Sequence, residues 1–385
     1  MTDQSRIAAL HSLQLMDTPA EERFDGITRA ARELFGVPLA AVNLLDSDHL
    51  FVKSPQGMAR SLVPPEETFC DATITAPEIL VVPDATADRS FAGLPDVAGG
   101  RGVRFYAGRP LTAEPGTRVG TFCLFDTRPR ELSAAELQQL DELGAWAEAE
   151  IQDSADRDRA RAVQQALLPG TTPAGPEYQV AGLCLPRTDV GGDFYSWQES
   201  GGNLRMAIAD VMGKGTAAAL IAATVRIAIH STDIQHPGSV LDIASGLLTN
   251  DLDRTSTFAT AFLATLETAT GNLQYADAGH GLTMIVSPDG SHRRLHGNGL
   301  PLGFGEPGSW ATSTTTLGPG DTLASFTDGV LDLYGGTLAA LGELAAILTD
   351  TDPSGVIQTL RSRHARAESD DDLTAILVRR RTAPN

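Results

Sequence analysis

Residues 190–197 read VGGDFYSW. Two glycines deliver the chain into an aspartate, and two aromatics follow. Glycine lets a backbone turn sharply or approach another group closely, so Gly191 and Gly192 clear the way to Asp193. The aromatic run after it reads as the start of a strand. An acid at the end of an apolar strand is a costly group to bury without a partner.

The same arrangement recurs outward from this stretch. Asp210 ends the strand LRMAIAD and precedes VMGKG, where glycines open a helix. Asp328 ends TLASFTD and precedes Gly329. Asp371 stands in ESDDDLTAILV, just before the last strand. One aspartate after a strand ordinarily caps a turn or a helix. Four in one context, within one half of the chain, point to carboxylates that meet. Converging carboxylates repel and raise each other's pKa. A hard divalent cation relieves both costs; Mg²⁺ and Mn²⁺ take oxygen ligands, and two ions can share one carboxylate.

Around these acids the second half reads as many strands with few helices. Strands are expected at YQVAGLCLP, DFYSW, LRMAIAD, TFATAFLATLE, LQYADAG, LTMIVS, HRRLH, DTLASFTD and LTAILVRR, with turns at TATGN, PDGS and GPGD. Helices are expected at TAAALIAATVRIAIHST, GSVLDIASGLLTNDLD and near GTLAALGELAAIL. The pattern predicts two packed sheets with helices outside. The first half predicts helices over residues 5–35, broken at Pro19, then a sheet built from VPLAAVNLLD, HLFVKSPQG, EILVV and the two strands of VRFYAGRPLTAEPGTRVGTFCLFD. Between the halves a helical pattern runs from Glu136 to Leu168, with Ser133 as its N-cap, and Pro169 and Gly170 stop it. Its charged middle, DSADRDRARA, is too polar to bury in one domain, and apolar residues at each end suit pairing with a second chain. The fold class is α+β, with domains expected at 5–150 and 169–381 and a helical linker over 136–168.

Composition narrows the function. The 385 residues exceed one ordinary core. A net charge of −20 argues against a nucleic-acid surface and against docking on anionic lipid. No stretch has the apolar length of a membrane span and the N-terminus lacks a signal peptide's apolar run, so a cytoplasmic protein is expected. Cys70, Cys123 and Cys184 are far apart in sequence, which predicts packed, reduced thiols. His292 and His296 lie in a turn-rich segment and do not suggest zinc.

The ordered set VGGDFYSW, IADVMGKGTAAAL, FATAFLATLETATGNLQYADAGH, GLPLGF, GDTLASFTDGVLD and DDLTAILV resembles the SpoIIE-like bacterial branch of the metal-dependent protein phosphatases, which are related to eukaryotic type 2C. The resemblance spans about residues 160 to 380. It implies an α-β-β-α sandwich and two divalent ions, Mn²⁺ or Mg²⁺. By position, Asp193, Asp210, Asp328 and Asp371 match the family's metal-binding acids, with Asp372 as a neighbour of Asp371 that could serve instead. The Val211 carbonyl matches a further ligand, and Asp210 matches the bridging position. The implied activity is serine/threonine phosphoprotein hydrolysis by a metal-activated water, with no covalent phosphoenzyme. The branch implies a phosphorylated anti-sigma-factor antagonist as substrate. Ser196 stands where many relatives carry an acid, and Lys214 where many carry a histidine. No arginine can be assigned to the phosphate, Arg187 being merely nearby in sequence, so the general acid stays open. His280 is expected to be structural.

The first half is similar to the GAF sensor family, on LMDTPAEERFDGITRAARELFGVPLAAVNLLDSDHLFVKSPQGM, ETFCDATI, LVVPDATADRSFAG, VRFYAGRPL and GTFCLFDTRPRELSAAELQQL. That family implies an antiparallel sheet with helices, a small-molecule ligand in some members and dimerisation in others. No ligand residue can be named, and Cys70 is expected to pack the core. A homodimer through the GAF domain and linker helix is the expected assembly. Two other functions compete. One is a non-catalytic, phosphatase-like scaffold, against which all four acids are present. The other is a diguanylate cyclase, suggested by GGDF but lacking the Glu that should follow Asp193.

Overall fold

The computed structural model describes residues 3–57, 62–173, 175–231, 236–304, 306, 308–367 and 371–382, apart from the side chain of residue 155. The chain divides into two units, Met1–Arg159 and Ala160–Asn385.

In the first unit, helices α1 (Asp3–Ser12) and α2 (Glu22–Phe35) precede the strands β1 (Leu39–Leu45), β2 (Leu50–Gln56) and β3 (Leu62–Val63). Gly36, at φ 56°, ends α2 in the left-handed conformation that glycine adopts without penalty. The short helix α3 (Phe69–Thr73), strand β4 (Leu80–Val82), short helix α4 (Pro95–Ala98) and long strands β5 (Phe105–Glu114) and β6 (Thr117–Asp126) follow. The strands form one six-stranded sheet in the order β3-β2-β1-β6-β5-β4. Strand β1 is buried at every position because both faces are covered. Ala40, Val42 and Leu44 join α1 and α2 in one core; Leu39, Ala41 and Leu45 join α3 in another. Helix α1 ends at Ser12, ahead of the break expected at Pro19, and the fully buried Lys53 of β2 pins the α1–α2 connection by pairing with Glu21 and donating to the Pro19 carbonyl. Cys70 and Cys123, far apart in sequence, lie with sulfurs 3.9 Å apart in the second core, both free thiols.

Helix α5 runs unbroken from Ala134 to Leu167. Ser133 and Glu136 cap it reciprocally: the Glu136 amide donates to Ser133 Oγ at 3.2 Å, and the Ser133 amide to the Glu136 carboxylate at 2.7 Å. Leu140, Ala147 and Ile151 are fully buried in the core of the first unit. Leu140 and Ile151, expected on the pairing face, are therefore spent within the chain, whereas Trp146 and Val163 of that face remain more than half exposed. The unit boundary falls within α5.

The second unit begins with β7 (Tyr178–Leu185), β8 (Phe194–Ser200) and β9 (Asn203–Val211), then α6 (Gly215–His230) and α7 (Pro237–Thr255). Strands β10 (Ala259–Glu267), β11 (Asn272–Ala278), β12 (Thr283–Val286), β13 (His292–Leu295), β14 (Ser313–Thr316) and β15 (Thr322–Phe326) follow. Helices α8 (Gly329–Asp332), α9 (Ala340–Asp350) and α10 (Pro353–His364) lead to β16 (Leu373–Arg380). Two five-stranded sheets form, in the orders β14-β11-β10-β9-β8 and β13-β12-β15-β16-β7. Period-two alternation sorts their faces. Leu204, Met206 and Ile208 of β9 meet Ile376 and Val378 of β16 in the core between the sheets. Ala207, Ala209 and Val211 face α6 and α7, while Leu373, Ala375 and Leu377 face α8, α9 and α10. This is the α-β-β-α sandwich that the pattern predicts. Helices α8 and α10 and strand β14 have no counterpart in the sequence reading.

Candidate metal centre

Strand pairing brings the predicted acids to one end of the sandwich. In the first sheet Phe194 of β8 sits opposite Ala209 of β9, so Asp193 and Asp210 follow on neighbouring strands. In the second sheet Phe326 of β15 sits opposite Ala375 of β16, so Asp328 and Asp371 stand at neighbouring strand ends. The turn after Asp210 passes through Gly213 at φ 107° and Gly215 at φ 73°, conformations that disfavour a side chain, before α6 starts.

The glycines of VGGD serve close approach, not a left-handed turn. A Cβ at Gly191 would collide with the Asp372 carboxylate, and one at Gly192 would lie 2.5 Å from the Val211 carbonyl oxygen. Asp193 is 2% exposed and accepts a 2.7 Å hydrogen bond from Thr327 Oγ. Burial, and then the charge of Asp210, hold its carboxyl well above the usual carboxylate range. Burial, joined by the charges of Asp328, Asp371 and Asp372, pushes Asp210 up to about 6. Asp328 is raised by partial burial and by Asp371.

Asp371 and Asp372 are not equivalent. Both Asp372 oxygens take backbone amides, Oδ1 from Arg187 and Oδ2 from Gly192, each at 2.7 Å. Asp372 thus ties the β7–β8 loop to β16. Asp371 is more exposed and faces Lys214, whose ammonium lies 3.3 Å from Oδ1. Lys214 is therefore an ion-pair partner of the cluster. Arg187 reaches the site through its backbone amide.

The donors are all oxygens, the type hard divalent ions take. The charge of Lys214 does not balance the carboxylates of Asp193, Asp210, Asp328, Asp371 and Asp372, and Asp193 and Asp210 are raised by burial and by their acidic neighbours. The residues present therefore fit a divalent metal. They are spread: among the described residues no three of these carboxylates place ligand atoms all within 4.8 Å of one another. The trio that does so, Asp46, Asp48 and His49, lies in the first unit.

Nearby groups have other duties. Burial pushes the Cys184 thiol up to about 12, too high for a nucleophile at neutral pH. Ser196 is buried and shares a 2.8 Å hydrogen bond with His230 of α6. His280 is buried against Ser325 and lowered by burial to about 4, which fits its expected structural role. Thr327 and Gln164 escaped the sequence reading. The Gln164 side chain hydrogen-bonds the Gly191 backbone at both N–H and C=O. Thr327 precedes Asp328 in FTDG, a signal that could have found it; Gln164 lies in an ordinary helical run.

Residues 200–381 match the family model "Stage II sporulation protein E (SpoIIE)", and residues 19–151 match the GAF domain model. The chain is a GAF domain followed by a SpoIIE-family domain. It is 34% identical over 128 residues to a cyclic di-GMP phosphodiesterase of Pseudomonas aeruginosa, covering 33% of this chain and 22% of that one. It is 31% identical over 174 residues to the phosphoserine phosphatase RsbU of Bacillus subtilis, covering 44% of this chain and 51% of that one. It thus spans at most about half the length of these relatives. Among solved structures, the SiaA-PP2C domain of Pseudomonas aeruginosa aligns with a TM-score of 0.51 at 24% identity, covering 61% of this chain and 100% of that one, a likeness of fold. Among the described residues no helix is long and apolar enough to cross a membrane.

Proposed function

We propose that this chain is a metal-dependent serine/threonine phosphoprotein phosphatase whose SpoIIE-family domain is controlled by its GAF domain. The observation that carries the reading is the convergence of Asp193, Asp210, Asp328 and Asp371 from both sheets, with three of the four carboxyls raised. Asp193, Asp210, Asp328, Asp371 and the Val211 carbonyl would hold two divalent ions, Mn²⁺ or Mg²⁺. Bound there, divalent ions supply positive charge for the phosphoryl oxygens and lower the pKa of the attacking water. Asp372 remains a loop anchor, because both its oxygens are engaged by amides. Thr327 orients Asp193. Lys214, 3.3 Å from Asp371, would be at hand to contact the phosphate.

The substrate we propose is a phosphorylated anti-sigma-factor antagonist, in a cytoplasmic partner-switching pathway. The similarity to a phosphoserine phosphatase supports this choice. A small-molecule GAF ligand and a homodimer through the GAF domain and helix α5 complete the proposal. The test is to incubate the full chain and Mn²⁺ with phosphorylated antagonists from its own organism and follow phosphate loss by mass spectrometry. Loss of phosphate that a chelator blocks is expected. If unrelated phosphoproteins are hydrolysed while every antagonist keeps its phosphate, the substrate class is wrong.

A further inference from the structure

We propose that Gln164 is a positioning residue for the metal centre, clamping the Gly191 backbone so that Asp193 is presented in a fixed place. The proposal rests on the metal-site reading above and deepens it. Gln164 Nε2 donates to the Gly191 carbonyl at 2.6 Å, and the Gly191 amide donates to Gln164 Oε1 at 3.1 Å. One side-chain amide thereby satisfies both main-chain groups of one residue, as a neighbouring strand would. Asn offers the same two groups one methylene shorter; Glu offers acceptors alone.

The other side of the loop is held as well. Gly192 donates to Asp372 at 2.7 Å, and Gly191 packs so closely on the same carboxylate that no side chain fits there. The dipeptide before Asp193 is therefore gripped between Gln164 of α5 and Asp372 at the start of β16. The grip also reaches Asp210's strand: the Val211 amide donates to the Gly192 carbonyl at 3.3 Å. Releasing one side lets the loop drift, and metal ligands tolerate little drift. Groups that orient ligands are typically worth about 10–100-fold in metal affinity. Gln164 touches no reacting atom in this scheme; it acts through Gly191.

The experiment compares Gln164→Ala, Gln164→Glu and Gln164→Asn in the full chain, with Gln165→Ala, at an exposed neighbouring position, as control. Mn²⁺ binding is read by isothermal titration without substrate, and thermal unfolding is read without metal. Mn²⁺ affinity is expected to fall about tenfold in Gln164→Ala and Gln164→Glu, while Gln165→Ala matches wild type. Gln164→Glu keeps the size and one acceptor but sets a carboxylate against the Gly191 carbonyl, so it is not a rescue. Unfolding temperatures without metal should stay within a few degrees of wild type, separating lost positioning from lost fold. Unchanged Mn²⁺ affinity in Gln164→Ala and Gln164→Glu, with binding abolished in Asp210→Asn, overturns the positioning role and leaves the metal site standing. Unchanged binding in Asp210→Asn overturns both.

Discussion

At the scale of single residues, close approach is what VGGD encodes. Adding a methyl at Gly192 drives it into the Val211 carbonyl and the Ala218 side chain. Gly192→Ala is therefore expected to destabilise the protein by about 1–3 kcal/mol and to weaken metal binding. Urea unfolding beside Mn²⁺ titration reads both; an unchanged midpoint contradicts the packing. His280 gives a pH prediction. Its imidazole takes a proton near 6.5 when unfolded but near 4 when folded, because burial disfavours the charged form. Its contribution is fully present above about pH 6.5 and is lost as pH falls toward 4, where the unfolded state binds the extra proton. Between pH 7.5 and 5 this is worth about 2 kcal/mol. His280→Gln should lose that much less stability over the interval than wild type, by urea midpoints at the two pH values. Equal losses in the two proteins contradict the assignment. The acids were legible as strand-end aspartates. Three-dimensional partners, the amides of Arg187 and Gly192, were needed to separate Asp372 from Asp371. Neither the Gln164 clamp nor the meeting of Cys70 with Cys123 has a local signature in sequence.

At the scale of elements, legibility follows apolar content. Strand β9 declared itself because its odd and even positions face two different cores. Strand β14, with sequence STTT, has no apolar residue and is ordered through its pairing with β11. Helix α10 buries a narrow stripe, Val356, Ile357 and Leu360, and its start signals, the cap Asp352 and Pro353, went unread. Helix α5 is the element most exposed to test. It is one helix from Ala134 to Leu167; its first part packs in the GAF core and Gln164 near its end grips Gly191. A shift of Gln164 would thus reach Asp193 through Gly191. Inserting two glycines after Asp156 interrupts it at about 1 kcal/mol per glycine and leaves both domains intact. Phosphatase activity and its response to any GAF ligand are expected to uncouple. If both are unchanged, the helix is a tether.

At the scale of the whole molecule, the account joins a sensor-type sheet domain to a sandwich whose two sheets each bring two acids to one end. Neither sheet alone assembles the site, so its chemistry depends on the core between them. The central claim is that these acids hold a catalytic divalent metal. Its most direct test measures Mn²⁺ binding and Mn²⁺-dependent phosphoprotein hydrolysis together, in wild type and Asp210→Asn, with circular dichroism to show that the variant folds. The account predicts that folded Asp210→Asn loses hydrolysis by orders of magnitude and binds Mn²⁺ far more weakly. Activity within about twofold of wild type, at the same Mn²⁺ dependence, would contradict it.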